Sequence, residues 1–417
     1  MTIRPGRRTA TAVVAAALGT GALLGAAPAA PAATASSTAA TAAPTMTVLP
    51  TGVPGKSYSD PTGVNRDGVV VGYAYASGQG AEASAVRWAA DGTPATLPPL
   101  PGTDHAQALG VNDANLAIGI SWPAAASSWQ STAVRWAADG TPTALPPLPG
   151  DLYSRAVAIA GNGVVVGTSY ASSVDTRAVA WRPDGTTVTL APLPGDTTSE
   201  VIGVNSAGVA IGRSRTGIGA FHGIVWRPDG TPVRFQAGPT AGSGDWPVAI
   251  NDAGTVAGVA DRPQGTGSSR HGLVRSPGGQ LRDLGAYTQP TAINASGTVV
   301  GSYQPDPAAL ASHAARWSPN GTRTPLPRQP QTGGNSTAVG INDAGTAIGY
   351  AWDGIPARQY QSGRIWAADT TLTDLDPANT AGNTTLFVNN AGLVVGLALL
   401  RSPGSLYPAH VTAVWRP

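Results

Sequence analysis

The sequence predicts an all-β chain: an eight-bladed β-propeller of four-stranded antiparallel blades, its last blade closed by the N-terminal strand. Three observations predict it. A unit of about 46 residues occurs eight times, each unit reads as four short β runs punctuated by turns, and the two ends of the array are complementary.

The N-terminus comes first. Arg4, Arg7 and Arg8 precede an uncharged run, Thr11 to Ala27, rich in Ala, Val, Leu and Gly, and small-x-small sites end at Ala29, Ala32 or Ala35. This pattern predicts a secretory signal peptide over residues 1–35. The apolar run is short for a membrane span and is broken by Gly and Thr. The Arg7-Arg8 pair leaves both the general and the twin-arginine export routes open. Residues 36–44 are rich in Ala, Ser and Thr and read as a flexible linker, with the propeller spanning 45–417. A secreted, monomeric protein with no stable membrane insertion is expected.

The repeat is anchored on a turn. Val64-Asn65-Arg66-Asp67-Gly68 returns as Ile250-Asn251-Asp252-Ala253-Gly254 and Ile341-Asn342-Asp343-Ala344-Gly345. Counted from the Asn position (Ala160 in the third copy), the spacings are 47, 48, 45, 46, 43, 48 and 47 residues. Strand a is the apolar pair before Asn. Strand b follows the turn, as in Val69-Val70-Val71-Gly72. Strand c ends in Trp, as in Ala85-Val86-Arg87-Trp88. Strand d is a Thr/Leu run such as Thr96 to Leu100. The a–b turn fits a type I turn whose last residue is left-handed; Gly fills that place in seven copies and Asn115 in the eighth. The c–d turns, as at Asp91-Gly92 and Asp139-Gly140, follow the same rule.

Two further positions recur. A Gly closes strand b in all eight copies, from Gly72 to Gly396, which marks close backbone approach or a bulge. A Trp closes strand c in seven, while the fifth copy has Arg275; one Trp per unit predicts packing between neighbouring sheets. The eighth copy stops after strand c at Trp415. Thr45 to Pro50 looks like a strand d without a preceding a–b–c, so it is expected to complete the last blade and remove the open edges. An open β-solenoid is the alternative architecture, and it gives no reason for complementary ends.

The units resemble the HAF repeats of extracellular bacterial proteins. The matching stretches are Ile341-Asn342-Asp343-Ala344-Gly345 for the turn, Val299-Val300-Gly301 for strand b, His222-Gly223-Ile224-Val225-Trp226 for strand c and Leu145-Pro146-Pro147-Leu148-Pro149-Gly150 for strand d. The resemblance covers about residues 45–417. The motif His survives as His222, His271 and His313, with Ser84, Thr132, Arg177 and Ser362 in its place elsewhere. The resemblance implies an extracellular repeat protein. It implies no activity, because the family is defined by its repeat.

Composition narrows the chemistry. Only 12% of residues are charged, there is no Cys, and the chain has five His, two Glu (Glu82 and Glu200) and one Lys (Lys56). Thiolate metal sites and a Cys nucleophile are therefore excluded. Without Arg4, Arg7 and Arg8 the chain holds 22 basic and 23 acidic residues, so no nucleic-acid footprint is expected. The His residues show no i, i+4 ligand pair, and no loop carries the run of acidic ligands that Ca²⁺ needs. No cofactor, metal site or catalytic residue is assigned.

Recognition is expected where loops vary on a rigid scaffold. The a–b and c–d turns are uniformly tight, whereas the b–c and d–a loops differ. That face is predicted to hold the aromatics outside the repeat: Trp122, Trp129 and Trp352 in b–c loops, Trp246 in a d–a loop, and Tyr153, Tyr170, Tyr287, Tyr303 and Tyr407 nearby. Exposed aromatics among polar neighbours suit a glycan or a protein hot spot. The expected function is a non-catalytic binding or scaffold module for an extracellular protein or glycan. The alternatives are an enzyme acting on polysaccharide or peptide at the central opening, which needs ionisable groups converging from several blades, and a structural envelope component.

Overall fold

The computed structural model describes residues 44–76, 82–172, 175–217, 219, 221–236, 244–264, 267–306, 308, 311–328, 334–352, 361–375, 380–400 and 408–416. These form 32 strands in eight four-stranded antiparallel sheets. Among the described residues there is no α-helix. Blade 1 is Tyr58–Val64, Val70–Tyr75, Ser84–Trp88 and Pro94–Leu97, paired in that order. Blades 2 to 7 repeat it. Blade 8 takes Thr380–Val388, Val394–Leu400 and Ala409–Arg416 from the C-terminus and Thr45–Val48 from the N-terminus, with Thr45 opposite Arg416 and Val48 opposite Ala413. The ends clasp as the sequence predicts. Strand d is shorter than predicted, ending at Leu97 in blade 1, because Pro98 and Pro99 have no N–H for the ladder.

The shared residues each have a mechanical role. All eight a–b turns end in a left-handed residue, including Asn115 at φ 59°. Each strand-b Gly faces a bulge in strand a; a Cβ on Gly72 would lie 2.1 Å from the Asp60 carbonyl oxygen, and one on Gly119 would lie 1.9 Å from that of Gln107. The strand-c Trp is buried throughout, and in blades 1 to 4 and 7 it donates from Nε1 to a carbonyl at the end of the preceding blade, as Trp136 does to Pro98 (2.7 Å) and Trp181 to Pro146 (2.8 Å), whereas the Trp317 Nε1 of blade 6 is buried without such a partner. Trp88 of blade 1 donates to the Pro50 carbonyl (2.6 Å), just beyond the N-terminal strand, which seals the clasp.

The turn Asn residues close a ring. Asn65 Nδ2 donates to the Asn112 carbonyl, Asn112 to Ala160, Asn205 to Asn251, Asn251 to Asn294, Asn294 to Asn342, Asn342 to Asn389, and Asn389 back to Asn65, at 3.0–3.2 Å. Only Ala160 lacks the amide to continue it. The apolar core lies between blades: Val71, Ala85 and Leu97 of blade 1 pack on Ala106, Ala108, Val134 and Trp136 of blade 2. Blade 5 repairs its missing Trp with a neighbour. Phe235, at the end of blade 4, is buried with Ile250, Val256 and Leu273, and its ring lies over Gly258 as the Trp does over the equivalent glycine elsewhere.

Candidate functional site

Strand a is innermost, and its residues alternate. In blade 1, Ser59, Pro61 and Gly63 are buried, while Tyr58, Asp60, Thr62 and Val64 are half-buried. The second set lines the axial opening. A small recess is walled by Thr62, Leu109, Val157 and Phe387 from four blades, and another at the turn end is ringed by Asn65, Asn112, Asn342 and Asn389.

Read along this face, the inner strands change character. One residue before the turn Asn, every blade has Val or Ile, from Val64 to Val388. Five residues before it stand Asp60, Gln107, Arg155, Glu200, Trp246, Gln289, Thr337 and Thr384. An apolar throat therefore opens into a collar that differs from blade to blade, at the end where the b–c and d–a loops meet.

The collar's acidic groups are occupied. Asp60 accepts from the Tyr73 hydroxyl at 3.0 Å and from that of Tyr75 at 3.5 Å. Burial pushes the Asp60 carboxyl above its ordinary range, against the pull of those phenols and of His410. The Tyr73 and Tyr75 phenols are themselves held far above their ordinary value, by burial first and by Asp60 second. Glu200 takes Arg213 Nε at 3.0 Å and Nη2 at 2.8 Å, and the Arg213 guanidinium lies 3.9 Å over the Phe221 ring. Burial lowers the pKa of the Arg155 guanidinium, whose electrostatic neighbours are Tyr170 and Tyr73.

The aromatics do not form one face. Trp122 is the last residue of strand b (Ala117–Trp122), not a loop residue, and is 1% exposed, its ring 5.6 Å from that of His105. Trp246 opens strand a of blade 5 (Trp246–Ile250) and is capped by Arg270 at 4.7 Å. Trp129 does lie in the loop, 50% exposed, edge-on to Tyr153 at 5.4 Å. Tyr153 and Tyr170 close the strand ends of blade 3, 5.8 Å apart; the Tyr170 hydroxyl donates to the Trp129 carbonyl (2.5 Å) and Gln130 Nε2 to the Tyr153 hydroxyl (3.2 Å). Trp352 follows strand b of blade 7 (Ala347–Ala351) and is 46% exposed. Tyr303 is buried in blade 6 against His313, Tyr287 stands at φ 55° before strand a of that blade, and Tyr407 lies outside the described residues.

Sequence reasoning missed that Trp122, Tyr170 and Trp352 belong to the repeat. Each is the third residue after the strand-b Gly, as is Tyr75. It also missed the blade 1 cluster, in which Tyr58 stacks on Tyr75 at 5.4 Å. Counting from each glycine would have found both. Blades 1 to 3 thus carry an aromatic arc, Tyr58/Tyr75, His105/Trp122 and Tyr153/Tyr170, at one pair of repeat positions.

The remaining ionisable groups act as staples. His222 Nδ1 lies 2.9 Å from Asp196 Oδ2, which also accepts from Ser214. The same place in blade 3 holds Arg177 on Asp151, with Ser169 on the same carboxylate. Because Arg serves there equally, the pair ties a d–a loop to strand c. Asp104 does not engage His105; it accepts from the Ala124 N–H at 2.8 Å. Among the described residues no group of three or more His, Asp or Glu could hold a metal ion.

Asp245 is different. It occupies the position of Ser59, Ser154, Ser199 and Asn383, which accept a strand-c N–H of the preceding blade, as Ser154 does from Ala133 at 2.9 Å. Ser154 also donates to the Leu145 carbonyl at 2.7 Å. Both Asp245 carboxylate oxygens are buried without reaching hydrogen-bond geometry with a partner. Burial pushes this carboxyl above its ordinary range, against the pull of Arg234 and of the nearby Gly223 N–H, the strand-c donor that meets Ser or Asn in the other blades.

No protein-family model and no curated protein matches the chain. Solved structures do. Dipeptidyl peptidase 4 from Porphyromonas gingivalis aligns at TM-score 0.54 and 10% identity over 85% of this chain and 59% of that one. A prolyl endopeptidase aligns at TM-score 0.53 and 12% identity over 84% and 55%. The fold is a β-propeller. Virginiamycin B lyase from Staphylococcus aureus aligns at 0.43 and 15% identity over 77% of this chain and 99% of that one. The chain spans a little over half of each peptidase, and at these identities the likeness is one of fold alone.

Proposed function

We propose that this chain is an exported β-propeller acting as a non-catalytic recognition module, which binds an extracellular polymer at the collar and rim where the inner strands meet the b–c and d–a loops. One observation carries the reading. Turn Asn, strand-b Gly and strand-c Trp are nearly uniform, whereas the collar holds six residue types in eight blades, beside exposed, braced Trp129. Uniform positions build a scaffold and varied ones on the same scaffold suit a shaped ligand. Export is supported by the basic start and apolar run before Ala29–Ala35, and the absence of Cys is compatible with it. The likeness of the units to HAF repeats agrees with an extracellular setting.

Asp60 favours a second reading, an enzyme at the axial opening, since a carboxyl with a raised pKa can serve as a general acid. Against it, Asp60 and Glu200 are each bound by neighbours of their own blade. The test is to probe a panel of glycans and secreted proteins with the wild-type chain and with Trp129→Ala/Trp352→Ala. Binding about tenfold weaker in the variant at unchanged Tm is expected. Equal binding by both proteins would overturn the reading.

A further inference from the structure

Among the described residues, Arg155 is an unspent charge at the mouth. It stands on strand a of blade 3 (Tyr153–Ile159), on the face that lines the axial opening. Among the described residues it makes no hydrogen bond and no ion pair, whereas Glu200, Asp261 and Asp151 are each matched with another arginine. A half-buried guanidinium beside Tyr170 and Tyr73 has lost hydration without gaining a fixed counter-charge. An anion entering the mouth would restore that interaction, and the planar fork of Arg fits a carboxylate in bidentate fashion.

A stacking platform lies next to it. Tyr153 and Arg155 are two residues apart on one strand face, roughly 6.6 Å along the strand. Tyr153 supports the Trp129 indole, which is held in place by the Tyr170 hydroxyl on its carbonyl. The negative face of such a ring meets the C–H face of a pyranose, while the Tyr153 hydroxyl and Gln130 amide offer polar partners to its hydroxyls. A protein partner fits less well. The exposed large hydrophobics among the described residues are Trp129, Leu152 and Trp352, too few for the apolar centre of a protein interface.

We infer that the mouth takes an acidic polysaccharide, a chain of hexuronate units, with a sugar ring on the Trp129–Tyr153 platform and a carboxylate on Arg155. This rests on the recognition reading and names its ligand class. Calorimetry tests it with three polymers: polygalacturonate, its methyl-esterified form, and dextran. The proteins are the wild-type chain, Arg155→Gln and Trp129→Ala. Polygalacturonate should bind, and esterification or Arg155→Gln should each weaken binding about tenfold, the worth of one charge-assisted pair. Trp129→Ala should weaken both the acid and the ester. Arg155→Gln should melt no lower than wild type, because it removes a charge without a partner. Equal affinity for acid and ester, or wild-type affinity in Arg155→Gln, overturns the acidic ligand; loss of that binding in Trp129→Ala would still uphold recognition at the mouth. Failure to bind any of the three polymers also overturns the inference, and the panel experiment above then judges the recognition reading by itself. A Tm several degrees lower in Arg155→Gln overturns it too, since the fold would then be holding that guanidinium.

Discussion

At the turn end of the inner strands, seven blades use the same side chain for the same bond, an Asn amide reaching the next blade's carbonyl at 3.0–3.2 Å. At the other end of the same strands, five residues away, neighbouring blades differ in charge, size and polarity, from Asp60 to Gln107 to Arg155 to Glu200 to Trp246. The contrast separates two demands on one element. Ring closure needs eight equivalent interfaces, so the same chemistry repeats. A ligand without eightfold symmetry needs unequal groups, and the collar supplies them where ring closure does not depend on them.

The sharpest way to break this comparison is at a strand-b glycine. A Cβ on Gly212 would lie 2.1 Å from the Glu200 carbonyl oxygen and 2.6 Å from the Trp226 ring. Backbone and a buried indole cannot both retreat, so Gly212→Ala should destabilise by on the order of 3 kcal/mol or prevent folding. Urea unfolding measures it, and a loss below about 1 kcal/mol would mean that the bulge is not what fixes this residue.

A smaller effect, of opposite sign, is expected at Asp245. Asn should supply the acceptor and donor that Ser and Asn supply in other blades, so Asp245→Asn should stabilise by about 1–2 kcal/mol at neutral pH. The folded-state pKa is raised above the unfolded value. The wild type therefore loses stability as pH rises from the unfolded pKa through the folded one, and keeps that loss above it. The advantage of Asn should be largest at pH 7–8 and shrink toward pH 4. Equal stability of the two proteins across that range would show that the carboxyl is satisfied after all.

The least effect is expected at the c–d turn of blade 7, where Thr370 holds φ 72° in a place that Gly fills in six other blades. A β-branched residue is strained there. Thr370→Gly should raise stability by about 0.5–1 kcal/mol, the strain relieved less the chain entropy of Gly, and should shift Tm upward by a degree or two.

Much of the scaffold was legible in the sequence, because repetition exposes it. The turn glycines, Asn115, the strand-b glycines and the strand-c tryptophans announce their roles by recurring, and Thr45 to Pro50 announces the clasp by lacking a blade of its own. The candidate site was legible only in part, for the converse reason. Asp60, Arg155 and Trp246 share a position but no residue type, so no pattern marks it before the ring is closed. Trp122 reads as an exposed loop aromatic, yet it caps strand b against Ala83 and Ile120 of the blade 1–2 interface. Phe235 gives no hint that it replaces the Trp missing at Arg275, since the two are 40 residues apart and meet only through packing.

The separation of scaffold from mouth is tested most directly by crossing two substitutions with two readouts. Asn251→Ala breaks the ring at the turn end, and Trp129→Ala removes the platform at the mouth. Tm and polymer binding are measured on both. Asn251→Ala should lower stability by about 1–3 kcal/mol, since it leaves the buried Asn294 carbonyl and the Thr255 N–H without their side-chain partner, and should leave the affinity of the folded protein unchanged. Trp129→Ala should leave Tm unchanged and weaken binding about tenfold. Loss of binding in Asn251→Ala at temperatures where it is fully folded, or wild-type binding in Trp129→Ala, would contradict the division.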